Sequence, residues 1–320
     1  MKKYWLIAPL AAVLLLVGFS SCRSETGSTG DVAPSDGVRV AAWNMKWFPS
    51  GRPILEDKDR KPEQELKRIA KAADFINWQR ADIVMLEEIR DLESATMLAT
   101  NEALRGTWRV NTISEFSVNA GATIPPHQNA IISRFEAVDA GWRVWRGADG
   151  IYPPRGFVFA VFDIGGHLTA VVGVHLKSNF IPQDAEDPEK LPPLNRKMRE
   201  ISARELVEFA AEISKKSYGG RHVENVIVGG DFNTSIFDKA YDGEQTVPTM
   251  LAAGFADCFD GVAERNTMPE SKWYPATCFD YIFARGKAEF FAPVVAPKSW
   301  TSDHQMISVI IRTDGRGAGE

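Results

Sequence analysis

Eight short apolar runs, rich in Val, Ile and Phe and bounded by turn residues or charges, limit this chain to a fold built mainly from β-strands. Convincing helical periodicity occurs in residues 63–79, behind Pro62, and from about Asn195 to Lys215. Many strands with few helices between them favour two sheets packed face to face with helices outside. The predicted strands are Val38–Trp43, Ile83–Leu86, Ala130–Ser133, Phe157–Phe162, Thr169–Val174, Asn225–Val228, Tyr281–Ala284 and Ile307–Ile311.

The N-terminal segment differs in composition from the rest of the chain. Two lysines precede an apolar run from Tyr4 to Phe19, which has the length of the apolar part of an export signal and is short for a membrane span. The run leads into Phe-Ser-Ser-Cys, which resembles a bacterial lipobox and predicts lipidation of Cys22 after removal of residues 1–21. The alternative is an ordinary cleaved signal with an incidental cysteine. Residues 22–37, rich in Ser, Gly, Asp and Thr, are expected to form a flexible tether.

Lipidation at Cys22 would hold the protein on a membrane without crossing it, because several acyl chains give stable anchoring. The next residue is Arg23, whereas an aspartate at this position favours inner-membrane retention of such lipoproteins. The expected location is therefore the outer membrane, facing the periplasm or the exterior.

Residues 37–313 are expected to form one domain, followed by a tail at 314–320. The full chain has 37 Lys and Arg against 42 Asp and Glu, and removal of residues 1–21 takes away two lysines, which leaves 35 against 42. Non-specific nucleic-acid binding depends on neutralisation of phosphates by Lys and Arg. The acidic mature chain argues against a protein that holds nucleic acid chiefly by charge, and allows an enzyme that needs only brief contact at a metal site.

Two further cysteines, Cys258 and Cys278, would lie in a compartment where disulfides persist. We predict that they pair, closing a loop of roughly 20 residues and stabilising the native state by about 3 kcal/mol. The alternative is two buried thiols. Neither cysteine has the spacing of a zinc site.

Polar residues follow most of the predicted strands, at the position where open α/β sheets build their sites. Their order along the chain resembles that of the endonuclease/exonuclease/phosphatase superfamily, which includes pancreatic-type deoxyribonucleases, abasic-site endonucleases, neutral sphingomyelinases and inositol-polyphosphate phosphatases. The resemblance covers about residues 38–312 and implies an α/β four-layer sandwich, with two mixed β-sheets packed face to face and helices outside. The fragments are Trp43-Asn44, Glu87-Glu88, Ser133-Arg134, His175 to Ser178, Gly230 to Asn233, Phe279 to Phe283 and Ser302-Asp303-His304.

A phosphodiester resists attack because its anionic oxygens repel nucleophiles, so a catalyst must neutralise charge, activate water and protonate the leaving alkoxide. Mg²⁺ prefers hard oxygen ligands and retains several waters. Glu88 and Asn44, at the ends of neighbouring predicted strands, offer such oxygens, and Asp303 completes or extends the set. The resemblance implies that Glu88 is the principal ligand, with Mn²⁺ or Ca²⁺ as alternatives to Mg²⁺.

Two histidines and their carboxylate neighbours are the predicted proton-transfer groups. Asp231 and Asn233 alternate on one strand end and so point to the same side. The resemblance implies that they orient the attacking water and hold the phosphate or a metal-bound water. It also implies that Asp280 orients His304 for base-side chemistry, and that His175 protonates the leaving group or stabilises the transition state. Which histidine is the acid and which the base is left open.

Three further side chains are candidates for substrate phosphate, namely Arg155, Lys177 and Asn179. The sequence departs from pancreatic-type relatives before the third predicted strand. There the family's carboxylate, which orients the first histidine, has no clear counterpart, and His127 and Gln128 stand in its place. This departure puts a deoxyribonuclease assignment in doubt.

These features predict a divalent-metal-dependent phosphodiester hydrolase, an extracytoplasmic nuclease that acts as a monomer on nucleic acid or another phosphodiester. One alternative is a phosphatase or a sphingomyelinase-like lipid phosphodiesterase, since loops around a shared centre set the substrate. The segment Phe180 to Pro193, with four prolines, is predicted to be a surface loop facing the substrate. A second alternative is a catalytically silent surface-binding lipoprotein.

Overall fold

A computed structural model describes residues 37–54, 56–117, 127–270 and 275–313. The predicted export signal, Cys22, nearly all of the tether and the C-terminal tail lie outside the described residues. Within the described part of the chain, no helix is both long and apolar enough to cross a membrane.

Strands dominate the described residues. The helices are α1 (Pro62–Trp78), α2 (Leu92–Ala99), α3 (Leu191–Ile213) and α4 (Thr246–Ala252). The strands are β1 (Val38–Phe48), β2 (Ile83–Ile89), β3 (Arg109–Ile113), β4 (Gln128–Ser133), β5 (Asp139–Val144), β6 (Gly156–Ile164), β7 (His167–His175), β8 (Ser217–Tyr218), β9 (Arg221–His222), β10 (Asn225–Asp231), β11 (Ala256–Asp257), β12 (Asp280–Arg285), β13 (Glu289–Val295) and β14 (Ile307–Arg312).

Twelve of these strands form two sheets of six. The first sheet has the order β13-β14-β1-β2-β4-β3, and the second has the order β11-β12-β10-β7-β6-β5. Each sheet is mixed, because β1 with β2 and β10 with β7 are parallel pairs while the other pairs are antiparallel. The predicted class, two mixed sheets with helices outside, is confirmed.

Alternating side chains divide the apolar residues into three layers, since successive residues of a strand face opposite sides. An inner layer between the sheets includes Ile83 and Met85 of β2 and Ile227 of β10. The outer face of the first sheet packs on α1 and α2, and that of the second sheet packs on α3 and α4. The four-layer sandwich follows from this alternation.

All eight predicted strands lie within observed strands, and the helix predicted at 63–79 is α1. The second predicted helix begins earlier than expected, at Leu191, so the prediction of a loop as far as Pro193 is wrong at its end. Pro192 and Pro193 occupy the first turn of α3. Proline is tolerated there because the first N–H groups of a helix have no partner within the helix.

The predicted disulfide is wrong, because Cys258 and Cys278 are both free thiols. Cys258 packs against the layer between the sheets, whereas Cys278 belongs to the core on the outer face of the second sheet. The two side chains are close in sequence but lie on opposite faces of one sheet. Burial raises the pKa of Cys258 to about 12 and that of Cys278 to about 11, so both stay protonated at neutral pH.

Candidate active site

Three polar residues form a row across the second sheet where its central strands meet one edge. His175 is the last residue of β7, Asp231 is the last of β10, and Asp280 is the first of β12. In the sheet register, Asp231 pairs with His175 on one side and with Asp280 on the other. Strand pairing alone therefore brings together three side chains that are distant in sequence.

The first sheet contributes Asn44 from β1 and two consecutive glutamates from β2. Asn44 pairs with Glu87 in the parallel register, after which the register shifts. Glu88 has a φ of 60°, in the left-handed region that is uncommon for residues other than glycine. A β-bulge of this kind re-aims side chains, and here it directs Glu88 to the site beside Glu87.

Close approach of the two sheets beneath the polar residues depends on glycines in β10. A Cβ on Gly229 would lie 2.5 Å from Cε of Met85 in the first sheet, and one on Gly230 would lie 2.0 Å from the carbonyl oxygen of Val174 in the neighbouring strand β7. The latter would also lie 2.8 Å from Oε1 of Glu87. The glycines preceding Asp231 are thus required for the carboxylates of one sheet to reach the other.

Asp231 lies at the centre of the site. Its Oδ2 accepts a hydrogen bond from Asn44 Nδ2 at 3.1 Å and lies 3.6 Å from His175 Nε2 and 3.8 Å from His304 Nε2. Its Oδ1 accepts a hydrogen bond from the backbone N–H of Asn233 at 2.8 Å. Burial raises the pKa of Asp231 to about 7, although the charge of His304 opposes this effect.

His304 lies in the segment before β14 and joins the two sheets. Its Nδ1 is 2.8 Å from Oδ2 of Asp280, and its backbone carbonyl accepts a hydrogen bond from Trp43 Nε1 at 3.2 Å. Burial alone would lower the pKa of His304, but the carboxylates of Asp280 and Asp231 outweigh it and raise the pKa to about 10. The ring is therefore a cation at neutral pH, with Nε2 facing Asp231.

Glu88 faces two other imidazoles. Its Oε2 lies 3.5 Å from His127 Nδ1, and its Oε1 lies 4.0 Å from His175 Nε2. The same carboxylate accepts hydrogen bonds from Asn44 Nδ2 at 3.1 Å and from the backbone N–H of Trp47 at 2.9 Å. Burial lowers the pKa of His127, and burial lowers the pKa of His175 well below its ordinary value. Both rings are therefore neutral at pH 7.

Glu87 is fully buried between the sheets, and neither of its oxygens has a hydrogen-bond partner among the described residues. Burial, followed by the nearby carboxyl groups of Asp280, Asp231 and Glu88, raises the pKa of Glu87 well above its ordinary value. An uncharged carboxylic acid is the form that such surroundings favour. Glu87 is consequently a neutral group beneath the site.

The donor set fits a divalent cation. Glu88, His127 and His175 offer ligand atoms that lie within 4.8 Å of one another. Asn44 presents its amide nitrogen to Glu88 and Asp231, and its Oδ1 accepts the backbone N–H of Lys46, so in this arrangement it orients the carboxylates. Carboxylate oxygens and neutral imidazoles are ordinary ligands of divalent metals.

Asp303, predicted as a third oxygen ligand, lies in an ion pair with Lys46 at 2.7 Å. Burial would raise its pKa, but the hydrogen bond from Lys46 and the charges of His304 and Lys46 together outweigh burial and lower the pKa of Asp303. Among the described residues, Asp303 is not a member of either group of ligand atoms close enough to share one ion. The structure thus places Asp303 at the rim of the site.

The three candidates for substrate phosphate differ in their surroundings. Arg155 donates to the backbone carbonyls of His175 and Leu176 at 3.1 and 2.6 Å, and so fixes the end of β7. The amide nitrogen of Asn179 donates to the carbonyl of Asn233 and to the hydroxyl of Tyr241, both at 2.9 Å. Asn179 thus connects the segment after β7 to the segment after β10.

Lys177 is the candidate with the most perturbed ammonium group. Burial and the nearby charge of Arg155 lower the pKa of Lys177 to about 8. Its Nζ donates to the carbonyl of Ser178 at 2.9 Å. Lys177 thus carries a partly buried charge close to the end of β7.

Sequence reasoning did not identify His127, Glu87 or Arg199 as parts of this region. The signal for His127 was present, as a histidine in place of an expected carboxylate. Arg199 gives no such signal, since it lies in α3 and becomes relevant only through a buried ion pair with Glu244 at 2.7 Å and a hydrogen bond to Asn179 at 2.9 Å.

Comparison with protein families decides the relationship of this site to known enzymes. Residues 41–304 match the model of the endonuclease/exonuclease/phosphatase family. The chain belongs to this family. Family members are hydrolases that act on phosphoester bonds. The matched segment includes every site residue from Asn44 to His304, so the family relationship extends over both sheets.

Solved structures of family members share the fold. An endonuclease/exonuclease/phosphatase family protein from Leptotrichia buccalis has a TM-score of 0.57 at 18% identity, covering 86% of this chain and 100% of that chain. The mannosyl-6-phosphatase Bt3783 from Bacteroides thetaiotaomicron has a TM-score of 0.53 at 17% identity, with coverage of 86% and 100%. Humanized D. rerio TDP2 has a TM-score of 0.57 at 15% identity, with coverage of 87% and 100%. A search of curated protein sequences found no significant match.

Proposed function

We propose that this family member is a divalent-metal-dependent phosphodiester hydrolase that acts as a nuclease outside the cytoplasm. The observation that carries the proposal is the position of Asp231, a buried carboxylate within 4 Å of two imidazoles, of which His175 is neutral and His304 is a cation. Cleavage of a phosphodiester requires an acceptor for the proton of water and a positive group beside the phosphate. Asp231 and the two histidines supply both.

The charge states favour distinct tasks for the two histidines. His304, a cation held by Asp280, is suited to binding a phosphate oxygen through Nε2–H and to donating a proton. His175, which is neutral, is suited to accepting a hydrogen bond or a proton from water. This division reverses the expectation that His304 acts on the base side, and the physical reason is the pair of carboxylates that surrounds its ring.

Asp231 is suited to orienting the attacking water. Its Oδ2 faces the space between His175 and His304, while Asn44 and the backbone of Asn233 hold the carboxylate in place. Its raised pKa, about 7, makes it a stronger base than an ordinary aspartate. A divalent ion held by Glu88 would neutralise phosphate charge and lower the pKa of bound water.

A cleft beside the site favours a polyanionic substrate. Its volume is about 620 Å³, and Asp303 forms part of its wall. Lys46, Arg68 and Lys298 line it together with Trp300, whose side chain is 91% exposed. Lysines bind phosphates as point charges, and exposed aromatic rings stack on bases of single-stranded nucleic acid. We therefore propose that this cleft holds the nucleic-acid strand next to the scissile bond.

Exposed apolar side chains favour a lipid phosphodiesterase as the second candidate. Phe180 and Ile181 follow β7, and Ile236 and Phe237 follow β10, so all four lie on loops that leave the site edge of the second sheet. Apolar side chains at the mouth of a polar site are suited to an acyl-chain surface. With the proposed lipid anchor at Cys22, this arrangement would place the site close to an outer membrane.

The test is hydrolysis by the full-length protein in detergent, with Mg²⁺, Mn²⁺, Zn²⁺ or EDTA. The substrates are plasmid DNA, a single-stranded oligonucleotide, RNA, a bis-aryl phosphodiester, a phosphomonoester and sphingomyelin. We expect chelator-sensitive cleavage of nucleic acid and of the bis-aryl ester, abolished by Glu88→Gln and by His304→Ala. Turnover of sphingomyelin alone would assign the second candidate, and turnover of the phosphomonoester alone would assign a phosphatase instead. Activity equal to that of the wild-type protein in both variants would contradict the assignment of the active site.

A further inference from the structure

His127 has an unsatisfied side chain beside Glu88. It immediately precedes β4, and both of its ring nitrogens are buried without a hydrogen-bond partner among the described residues. Buried polar atoms nearly always have a partner, because loss of hydration without a replacement hydrogen bond is unfavourable. Two unpartnered nitrogens on one ring therefore indicate a ligand that lies outside the described residues.

The distance between His127 and Glu88 suits a shared cation. His127 Nδ1 lies 3.5 Å from Glu88 Oε2. Two ligand atoms bound tetrahedrally to one ion, each at about 2.1 Å, are separated by about 3.4 Å. The two side chains thus already have the spacing of neighbouring ligands.

Trp47 holds both members of the pair. The indole meets the His127 ring edge-on, with centroids 3.7 Å apart and planes at 89°. The backbone N–H of Trp47 also donates to Oε2 of Glu88 at 2.9 Å. One residue of β1 therefore positions the imidazole and the carboxylate together, and such support is typical of preorganised metal sites.

We infer that His127 is a nitrogen ligand of the metal ion held by Glu88, and that the site binds Zn²⁺ or a chemically similar ion more tightly than Mg²⁺. Imidazole suits Zn²⁺, Ni²⁺ and Cu²⁺, whereas Mg²⁺ prefers oxygen ligands alone. The inference rests on the proposed function only in placing a metal at Glu88. It replaces the expectation of an all-oxygen Mg²⁺ site.

Calorimetric titration of the metal-stripped full-length protein in detergent with Zn²⁺ and with Mg²⁺ tests the inference. The variants are His127→Ala, His127→Gln and Glu88→Gln. The matched control is His167→Ala, because His167 lies at the other end of β7 and pairs with Glu224 at 3.1 Å. Circular dichroism checks that each variant is folded.

We expect the wild-type protein to bind Zn²⁺ more tightly than Mg²⁺. Both His127 variants should lose at least about tenfold in Zn²⁺ affinity, with Mg²⁺ affinity changed less than about twofold. Glu88→Gln should lose the same Zn²⁺ binding event, and His167→Ala should behave as wild type. Zn²⁺ affinity unchanged in folded His127 variants, or retained in Glu88→Gln, would overturn the inference.

Hydrolysis of the bis-aryl phosphodiester separates this inference from the proposed function. If the His127 variants bind Zn²⁺ as wild type does and hydrolysis with Mg²⁺ persists, His127 is not a ligand and the proposed activity still holds. If the His127 variants lose Zn²⁺ affinity but no ion supports hydrolysis, His127 is a metal ligand and the proposed activity is wrong.

Discussion

Glu87 and Glu88 are consecutive in β2, and a β-bulge directs both carboxyl groups towards the second sheet, where they meet different surroundings. Glu88 accepts hydrogen bonds from Asn44 and from the backbone of Trp47, whereas Glu87 has no partner among the described residues. One carboxyl is therefore available to a cation, and the other is held neutral. This difference between neighbours leads to the first prediction.

Glu87→Gln should stabilise the metal-free protein at pH 7 by on the order of 1–3 kcal/mol. The folded pKa of Glu87 is raised above its ordinary value of 4.5, so the stability associated with the neutral carboxyl is complete below that pH. It decreases as the pH rises towards the folded pKa, and the amide has no such dependence. Urea unfolding in EDTA from pH 4 to 8 measures the difference.

The stability gain should therefore vanish near pH 4. Glu88→Gln is the matched control at the adjacent position, and it should abolish metal-dependent hydrolysis. A Glu87→Gln protein with the same stability as wild type across the pH range would contradict a neutral Glu87.

The pH dependence of hydrolysis should be bell-shaped. Asp231 is active when ionised, so kcat/KM should rise through about pH 7, and His304 is active when protonated, so the rate should fall only towards pH 10. Asp280→Asn removes the first of the carboxylates that raise the pKa of His304, and should move the alkaline limb down towards neutrality. Rates on the bis-aryl phosphodiester measure both limbs.

An alkaline limb that stays in place in Asp280→Asn would show that another group controls it. Asp231→Asn should lower the rate by about a hundredfold or more while the folded transition remains. A smaller loss would contradict the assignment of Asp231 to the attacking water.

The cleft beside Asp303 should affect only long substrates. Trp300→Ala should raise KM for a single-stranded oligonucleotide by about fivefold to a hundredfold, since stacking contributes about 1–3 kcal/mol per base. Lys298→Glu should also raise this KM, because it replaces a positive charge that would bind phosphate with a negative one. kcat/KM for the bis-aryl phosphodiester should change less than twofold. Steady-state kinetics on both substrates measures the contrast.

Lys287 and Trp78 provide controls for charge and ring. Both are exposed and lie at the end of the sandwich away from the site, after β12 and at the end of α1 respectively. Lys287→Glu and Trp78→Ala should leave both substrates unaffected. If the control variants raise KM for the oligonucleotide as much as the cleft variants do, the cleft is not a specific binding site for the strand.

Labelling with a thiol reagent under non-reducing conditions tests the state of Cys258 and Cys278. Both should react after unfolding, and both should react slowly in the folded protein because burial keeps the thiols protonated. Cys258→Ser should therefore leave electrophoretic mobility without reductant unchanged. A mobility shift of the wild-type protein on reduction, absent in Cys258→Ser, would show that the two cysteines form a disulfide.

The central strands and the polar row were predictable because both depend on local pattern. The central strands contain short apolar runs. His175 directly follows one of them, and Asp231 follows another after two glycines. The edge strands β5 and β13 were missed because several of their side chains are exposed, which removes the apolar signal. Pairing with a neighbour stabilises them, and this information is not local.

The missed parts of the site depend on long-range packing. The bulge requires a left-handed conformation at Glu88, and the sequence gives no sign of it because the residue is not glycine. The orientation of His127 depends on Trp47, which is 80 positions earlier in the sequence. The cysteines illustrate the opposite error, since short separation suggested a pair that the intervening sheet keeps apart.

Because Gly229 and Gly230 carry no side chain, Met85 and Glu87 of one sheet lie directly against the strand of the other sheet that ends in Asp231. The reacting groups thus belong to the rigid interior of the sandwich, and adaptation to differently shaped molecules is left to the segments around the rim. Exchange of residues 178–187 and 297–302 between family members is therefore expected to transfer substrate choice while the chemistry beneath stays the same.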